Sequence, residues 1–148
     1  MDLASQEHWH SISGFTCLVD SGAVSWSSKK QLVVTLSTME AEYISATNAV
    51  KQIHWIRVLL TEIVHPLAAP TILYSNNQSA IALARDNQYH SRTKHIDICF
   101  HFIREAVKNG ILTLNYCPMD DMVADILTKA LPTVKITKLS KMLRLGSC

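Results

Sequence analysis

Glu42 is the residue whose type and place are hardest to explain as packing alone. It lies three positions after Met39 and four before Ala46, in a series that Ala49, Ile53, Ile56 and Leu60 continue at three- and four-residue steps. On a helix that spacing turns Glu42 onto the apolar face. A carboxylate there must be paired, hold a metal or line a cleft, because an unpaired buried charge is costly. The plainer alternative is a slightly rotated helix with Glu42 at the boundary, like Glu40. Asp125 is similar in kind, set among Met122, Val123, Ile126 and Leu127 of a short helix, where a surface position is the usual outcome. The segment His90-Ser91-Arg92-Thr93-Lys94-His95 gathers donors that could grip phosphates; a solvated helix entry is the competing reading. His90, His95 and Asp97 lack a compelling metal spacing. Lys29-Lys30 reads as a solvated turn, and Cys17, Cys99 and Cys117, in apolar runs, read as core thiols. No Ser-His-Asp or Cys-His arrangement follows from spacing.

These groups need elements to position them, and with only four Gly and four Pro the punctuation is easy to read. Phe15–Val19 and Ala23–Ser27 are two β-type runs joined by Asp20-Ser21-Gly22, the pattern of a hairpin. Ser37-Thr38-Met39-Glu40 is a capping signature, and the periodicity behind it predicts a helix to about Val64, stopped by Pro66 and Pro70. A third strand follows at 71–75 and an Ala-rich helix from Asn77 to Arg85. After a polar loop at 87–93 comes a helix from Lys94 to Lys108, ended by Asn109-Gly110. The last strand is Ile111–Tyr116; Asp120-Asp121 should cap a helix through Lys129, and a final helix beyond Pro132 should pack on the outside.

The chain has 148 residues and 16.6 kDa, room for one domain, with a core at about 11–130 and the C-terminal helix at about 133–144. Hydrophobic residues at 48% and charged residues at 18% argue for a packed core. Fourteen basic against twelve acidic residues leave a net charge of +2. That excludes a strongly basic glove, so any nucleic-acid contact must be a local patch. No stretch is apolar over the roughly 20 residues of a membrane span, and the start of the chain lacks the apolar run of a signal peptide. Four cysteines without a C-x-x-C pair read as reduced thiols of an intracellular protein, cytoplasmic or nuclear and not secreted.

Five collinear blocks then carry a resemblance. They are Gly22-Ala23-Val24-Ser25-Trp26-Ser27-Ser28-Lys29-Lys30-Gln31; Ser37-Thr38-Met39-Glu40-Ala41-Glu42-Tyr43-Ile44; Asn77-Gln78-Ser79-Ala80-Ile81; His90 through Asp97; and Ala124-Asp125-Ile126-Leu127-Thr128-Lys129. Together they resemble the ribonuclease H domain that closes the Pol polyprotein of copia-type retrotransposons, over about residues 2–143. The resemblance implies an α/β, ribonuclease H-like fold: a five-stranded mixed sheet flanked by helices, cutting the RNA strand of an RNA–DNA hybrid. It implies two Mg²⁺ ions held by four carboxylates, of which Glu42 and Asp125 match two. It also implies Arg92, Lys94 and His90 as substrate-binding residues, and the rest of a Pol polyprotein as a partner, with no membrane.

The departures carry their own expectations. Asn76 stands where the family has an Asp, a neutral amide in place of a charged ligand. Met1-Asp2-Leu3-Ala4-Ser5 matches only the tail of the first-strand motif, Asp2 taking the second acid of a pair. The chain is therefore expected to begin inside its domain, with the first strand missing and two sheet edges open. Two carboxylates, near −2, would face ions totalling +4 about 4 Å apart, so Mg²⁺ should bind weakly and cleavage should be slight or absent. The alternatives are a non-catalytic nucleic-acid-binding module and an unselected remnant of a retrotransposon.

Overall fold

The computed structural model describes residues 10–20, 22–35, 37–64, 66–86 and 94–144. Strands β1 (Ile12–Val19) and β2 (Gly22–Lys30) form an antiparallel hairpin, with a bulge between Cys17 and Leu18. Asp20, in the expected turn, takes the left-handed conformation at φ 48°, which Asp tolerates better than most residues. Helix α1 (Thr38–Ile63) begins where the capping signature puts it: the Ser37 hydroxyl accepts the Glu40 N–H at 3.2 Å.

Strand β3 (Thr71–Ser75) leads into α2 (Gln78–Arg85), whose N-cap Asn77 accepts the Ala80 N–H at 3.0 Å. Helix α3 (Lys94–Lys108) closes with Gly110 at φ 71°, the N–H groups of Gly110 and Ile111 returning to the Val107 and Ala106 carbonyls. That double bond is what a left-handed glycine just past a helix permits. Strand β4 (Leu112–Tyr116) lies parallel to β3, and α4 is Thr133–Met142.

Among the described residues β1 pairs only with β2, and β3 only with β4, which leaves open the two edges expected. One expectation is corrected. The helix expected behind Asp120-Asp121 is a single 3₁₀ turn, Val123–Leu127, with no side-chain cap. The two acids serve α4 instead, Asp121 meeting Lys138 at 2.7 Å and Asp120 meeting Lys135 at 3.5 Å. Helix α4 itself is anchored by Leu139 and Leu143, both buried.

The core lies between α1, α2, α3 and β4. Phe100 of α3 is fully buried, its ring 3.8 Å from that of Tyr43, and Val50, Ile96, Ile103, Leu112 and Leu114 surround the pair. The Tyr43 hydroxyl donates to the Ala80 carbonyl, tying α1 to α2. Helix α1 thus buries Tyr43 and Val50 on one side, while Ala46, Ala49 and Ile53 turn toward the strands. Farther along, the Arg57 guanidinium donates to the carbonyls of Leu67 (3.1 Å) and Ala69 (2.9 Å) and to the Thr71 hydroxyl (2.9 Å). It fastens the connection into β3 onto α1. Among the described residues no helix is long and apolar enough to cross a membrane.

Candidate active site

A cavity of about 500 Å³ opens between β1, β3 and the strand-facing side of α1. Glu42, Ala46, Ala49, Ile53, Ile56 and Leu60 all line it, so the helical spacing that singled out Glu42 describes a real face. Asp125 enters from the 3₁₀ turn and Asn76 from the end of β3. Three positions that lie far apart in the chain therefore line one cavity, with Asp125 close enough to Glu42 for its charge to be felt there. The 3₁₀ turn is held close because β1 has glycine at position 14: a Cβ there would stand 2.5 Å from Thr128 Cγ2. The Ser28 hydroxyl donates to the Leu127 carbonyl at 2.6 Å and secures the same contact.

Asp125 is buried, 6% exposed, where its spacing alone made a surface position the usual outcome. Its Oδ2 lies 3.2 Å from Lys129 Nζ, an i, i+4 pair whose ammonium is also largely buried. Burial raises the Asp125 pKa while Lys135 opposes the rise, and burial lowers the Lys129 pKa with help from Lys135. Both shifts favour the neutral forms, with burial as the larger cause of each. The Glu42 carboxyl is also pushed up, first by burial and then by the charge of Asp125.

Lys129 was not assigned a role from sequence, although its four-residue spacing from Asp125 is the legible signal. Gln31 was missed too. Its amide donates to the Ala41 carbonyl at 2.9 Å and to the Ser13 hydroxyl, joining the end of β2 to the first turn of α1 beside Glu42. The thiols divide: Cys99 is buried, but Cys17 and Cys117 are half-buried, because β1 and the end of β4 are edges rather than interior strands. Burial raises the pKa of both, and at Cys117 Asp121 and then Asp125 add to the rise. Lys94 is exposed at the start of α3 and does not line the cavity. Asp2, His90, Arg92 and Cys148 lie outside the described residues.

Among the described residues the cavity offers few donors for a divalent cation. Glu42 and Asp125 are two carboxylates, Asn76 brings a neutral amide, and Lys129 already supplies positive charge at Asp125. Among the described residues no three His, Cys, Asp or Glu side chains gather in a way that could hold a metal ion.

The chain is 41% identical over 126 residues, 84% of its length, to the retrovirus-related Pol polyprotein from transposon TNT 1-94 of Nicotiana tabacum. It is 39% and 40% identical over 88% and 85% of its length to the retrovirus-related Pol polyproteins from transposons RE2 and RE1 of Arabidopsis thaliana. The chain is homologous to a segment of transposon Pol polyproteins. This Pol segment spans 9% of the length of each of these relatives. No family model matches it, and no solved structure matches it.

The raised pKa of Glu42 has a measurable consequence for the Pol segment. Its neutral form suits the fold, so that contribution is complete below its ordinary value of 4.5 and is lost as pH rises through the higher folded value. Glu42→Gln keeps the shape without the charge. The variant should melt at the same temperature as the parent near pH 4 and at a higher temperature at pH 7 to 8. Equal melting across that range would show that ionised Glu42 is at no disadvantage in the folded cavity.

Proposed function

We propose that this Pol segment is a ribonuclease H-like domain of a copia-type polyprotein, descended from enzymes that cleave RNA in RNA–DNA hybrids with two Mg²⁺ ions. In this chain cleavage is weak or absent, and Mg²⁺ binding is correspondingly weak. The observation that carries the reading is that Glu42, Asp125 and Asn76 line one cavity, from a helix, a 3₁₀ turn and a strand end. Folding has no need to collect two acids there, since burial disfavours the ionised form of each.

The weakness follows from the same residues. Asn76 gives no charge, and Lys129 Nζ occupies one oxygen of Asp125 at 3.2 Å. What these residues leave is a polar floor beneath an apolar wall. Contacts to the hybrid fall to the segment around Arg92 and Lys94, acting on phosphates and therefore salt-sensitive and independent of sequence.

The test is hydrolysis of a labelled RNA–DNA hybrid in Mg²⁺ or Mn²⁺, with Glu42→Gln alongside and folding verified by circular dichroism. Turnover at the level of the variant, with salt-sensitive binding of the hybrid, is expected. Turnover lost in Glu42→Gln would overturn the impairment and make the Pol segment a working nuclease. Folded protein that neither binds nor cleaves would remove the nucleic-acid reading altogether.

A further inference from the structure

A second, open groove lies between the end of α2 and the second half of α3. Its volume is about 670 Å³, and of the residues that line it only Ala84 also borders the cavity holding Glu42. The spacing along α3 explains what faces it. Ile96, Cys99, Phe100, Ile103 and Ala106 are buried in the core. That turns His101, Arg104, Glu105 and Lys108, at i, i+3, i+4 and i+7, toward the groove. Arg85 of α2 and Asn109 complete the polar lining.

Positive charge is concentrated here. Arg85, Arg104 and Lys108 against Glu105 leave +2 with His101 neutral, and the whole chain carries +2. The remainder of the chain is therefore balanced, and the groove holds the excess. Arg85 and Lys108 each stand in the last turn of a helix, where a cation complements the dipole. The dipole does not account for Arg104, a turn earlier, or for two helices bringing their cations to one groove.

The guanidiniums are also held in place. Arg85 Nη2 donates to the Leu114 carbonyl at 2.8 Å and Arg104 Nη2 to the Leu83 carbonyl at 3.1 Å. The Arg104 guanidinium lies 5.3 Å from the centre of the Phe100 ring. Side chains fixed in this way lose less freedom when a ligand arrives. A guanidinium carries five donors, so the bond from Arg85 to one carbonyl leaves its fork able to take a phosphate.

We propose that this groove binds the phosphodiester backbone of a single nucleic-acid strand, at a site separate from the Glu42 cavity. Glu105 and Asn109 decide between polyanions. An acidic polypeptide sets its carboxylates against Glu105 with nothing in return. A nucleotide strand brings phosphates to Arg85, Arg104 and Lys108, and base amino groups that Glu105 and Asn109 can accept. The volume falls in the range of about 300–1,000 Å³ typical of small-ligand sites, room for a short stretch of one strand. The site is distinct from the Arg92–Lys94 segment and does not rest on the nuclease reading.

The test uses the full chain and a short fluorescein-labelled oligodeoxycytidine, with the ribose form in parallel, followed by anisotropy across a salt series. Saturable binding is expected, the tighter form naming the strand. Three phosphate contacts to a single strand give a slope of about −2 for log affinity against log salt. Lys108→Gln, at an exposed position, should weaken binding and bring the slope to about −1.4. Arg85→Gln added to it should bring the slope to about −0.7, with circular dichroism spectra unchanged. Absence of saturable binding at low salt, or affinity and slope unchanged in Lys108→Gln, would overturn the proposal. So would loss of binding in Lys94→Gln with Lys108→Gln unaffected, since the contact would then belong to the other segment. A polyglutamate peptide that binds as tightly as the oligonucleotides, and is released in Lys108→Gln, would overturn it in favour of an acidic polypeptide.

Discussion

Phe100→Ala is expected to cost about 3–5 kcal/mol, the range for truncating a fully buried phenylalanine. The ring is inaccessible to solvent, stacked 3.8 Å from Tyr43 and covered by the Arg104 guanidinium at 5.3 Å. Its removal opens a void where α1 and α3 meet, lined by Ile103 and Val50, which are held in their own helices. A domain of this size has roughly 5–15 kcal/mol in all, so the variant should lose a large part of its stability. Urea unfolding followed by circular dichroism reads this as a lower midpoint at unchanged slope. A loss below about 1 kcal/mol would mean that the aromatic pair is not the centre of the core.

Gly14→Val should cost about 1–3 kcal/mol, the usual penalty for overpacking. The added Cβ meets Thr128 Cγ2 at 2.5 Å and Leu127 Cβ at 3.3 Å, and valine brings two further methyl groups. The 3₁₀ turn must retreat from β1, carrying Asp125 away from the wall it shares with Glu42. The informative measurement is a double-mutant cycle. If Asp125 moves off, Glu42 loses part of what raises its pKa, and the stability gained at neutral pH by Glu42→Gln should shrink in the Gly14→Val background. An undiminished gain would show that burial alone, without Asp125, controls Glu42.

Local signals were the legible part of this fold. Ser37 and Asn77 cap helices because their side chains reach the backbone three residues on, and Gly110 ends α3 because it accepts positive φ. Each depends on neighbours in sequence. The face of α1 that carries Glu42 was legible for the same reason. What escaped depends on partners far along the chain. Nothing near Asp120-Asp121 says that lysines of α4 will claim them, so a helix cap was the natural expectation. Burial of Asp125 needed β1, with its bare Gly14, to come against the 3₁₀ turn. Gln31 carries no local signal, because its role depends on the first turn of α1 coming within reach of its amide. The open edges of β1 and β3 were legible only through the resemblance, since strand partners are chosen in space and no single β-run names its neighbour.

The hold of Arg57 on the connection into β3 reaches beyond local tidiness. One guanidinium fixes Leu67, Ala69 and Thr71 to the helix that backs the cavity, while Gln31 and Ser45 fix the hairpin to the same helix near its start. Helix α1 therefore acts as the beam of a calliper whose two jaws are β1 and β3. The gap between the jaws is a length measured along one rigid rod, set by the side chains that grip it at either end. Changes to the polar floor can accumulate without altering that gauge.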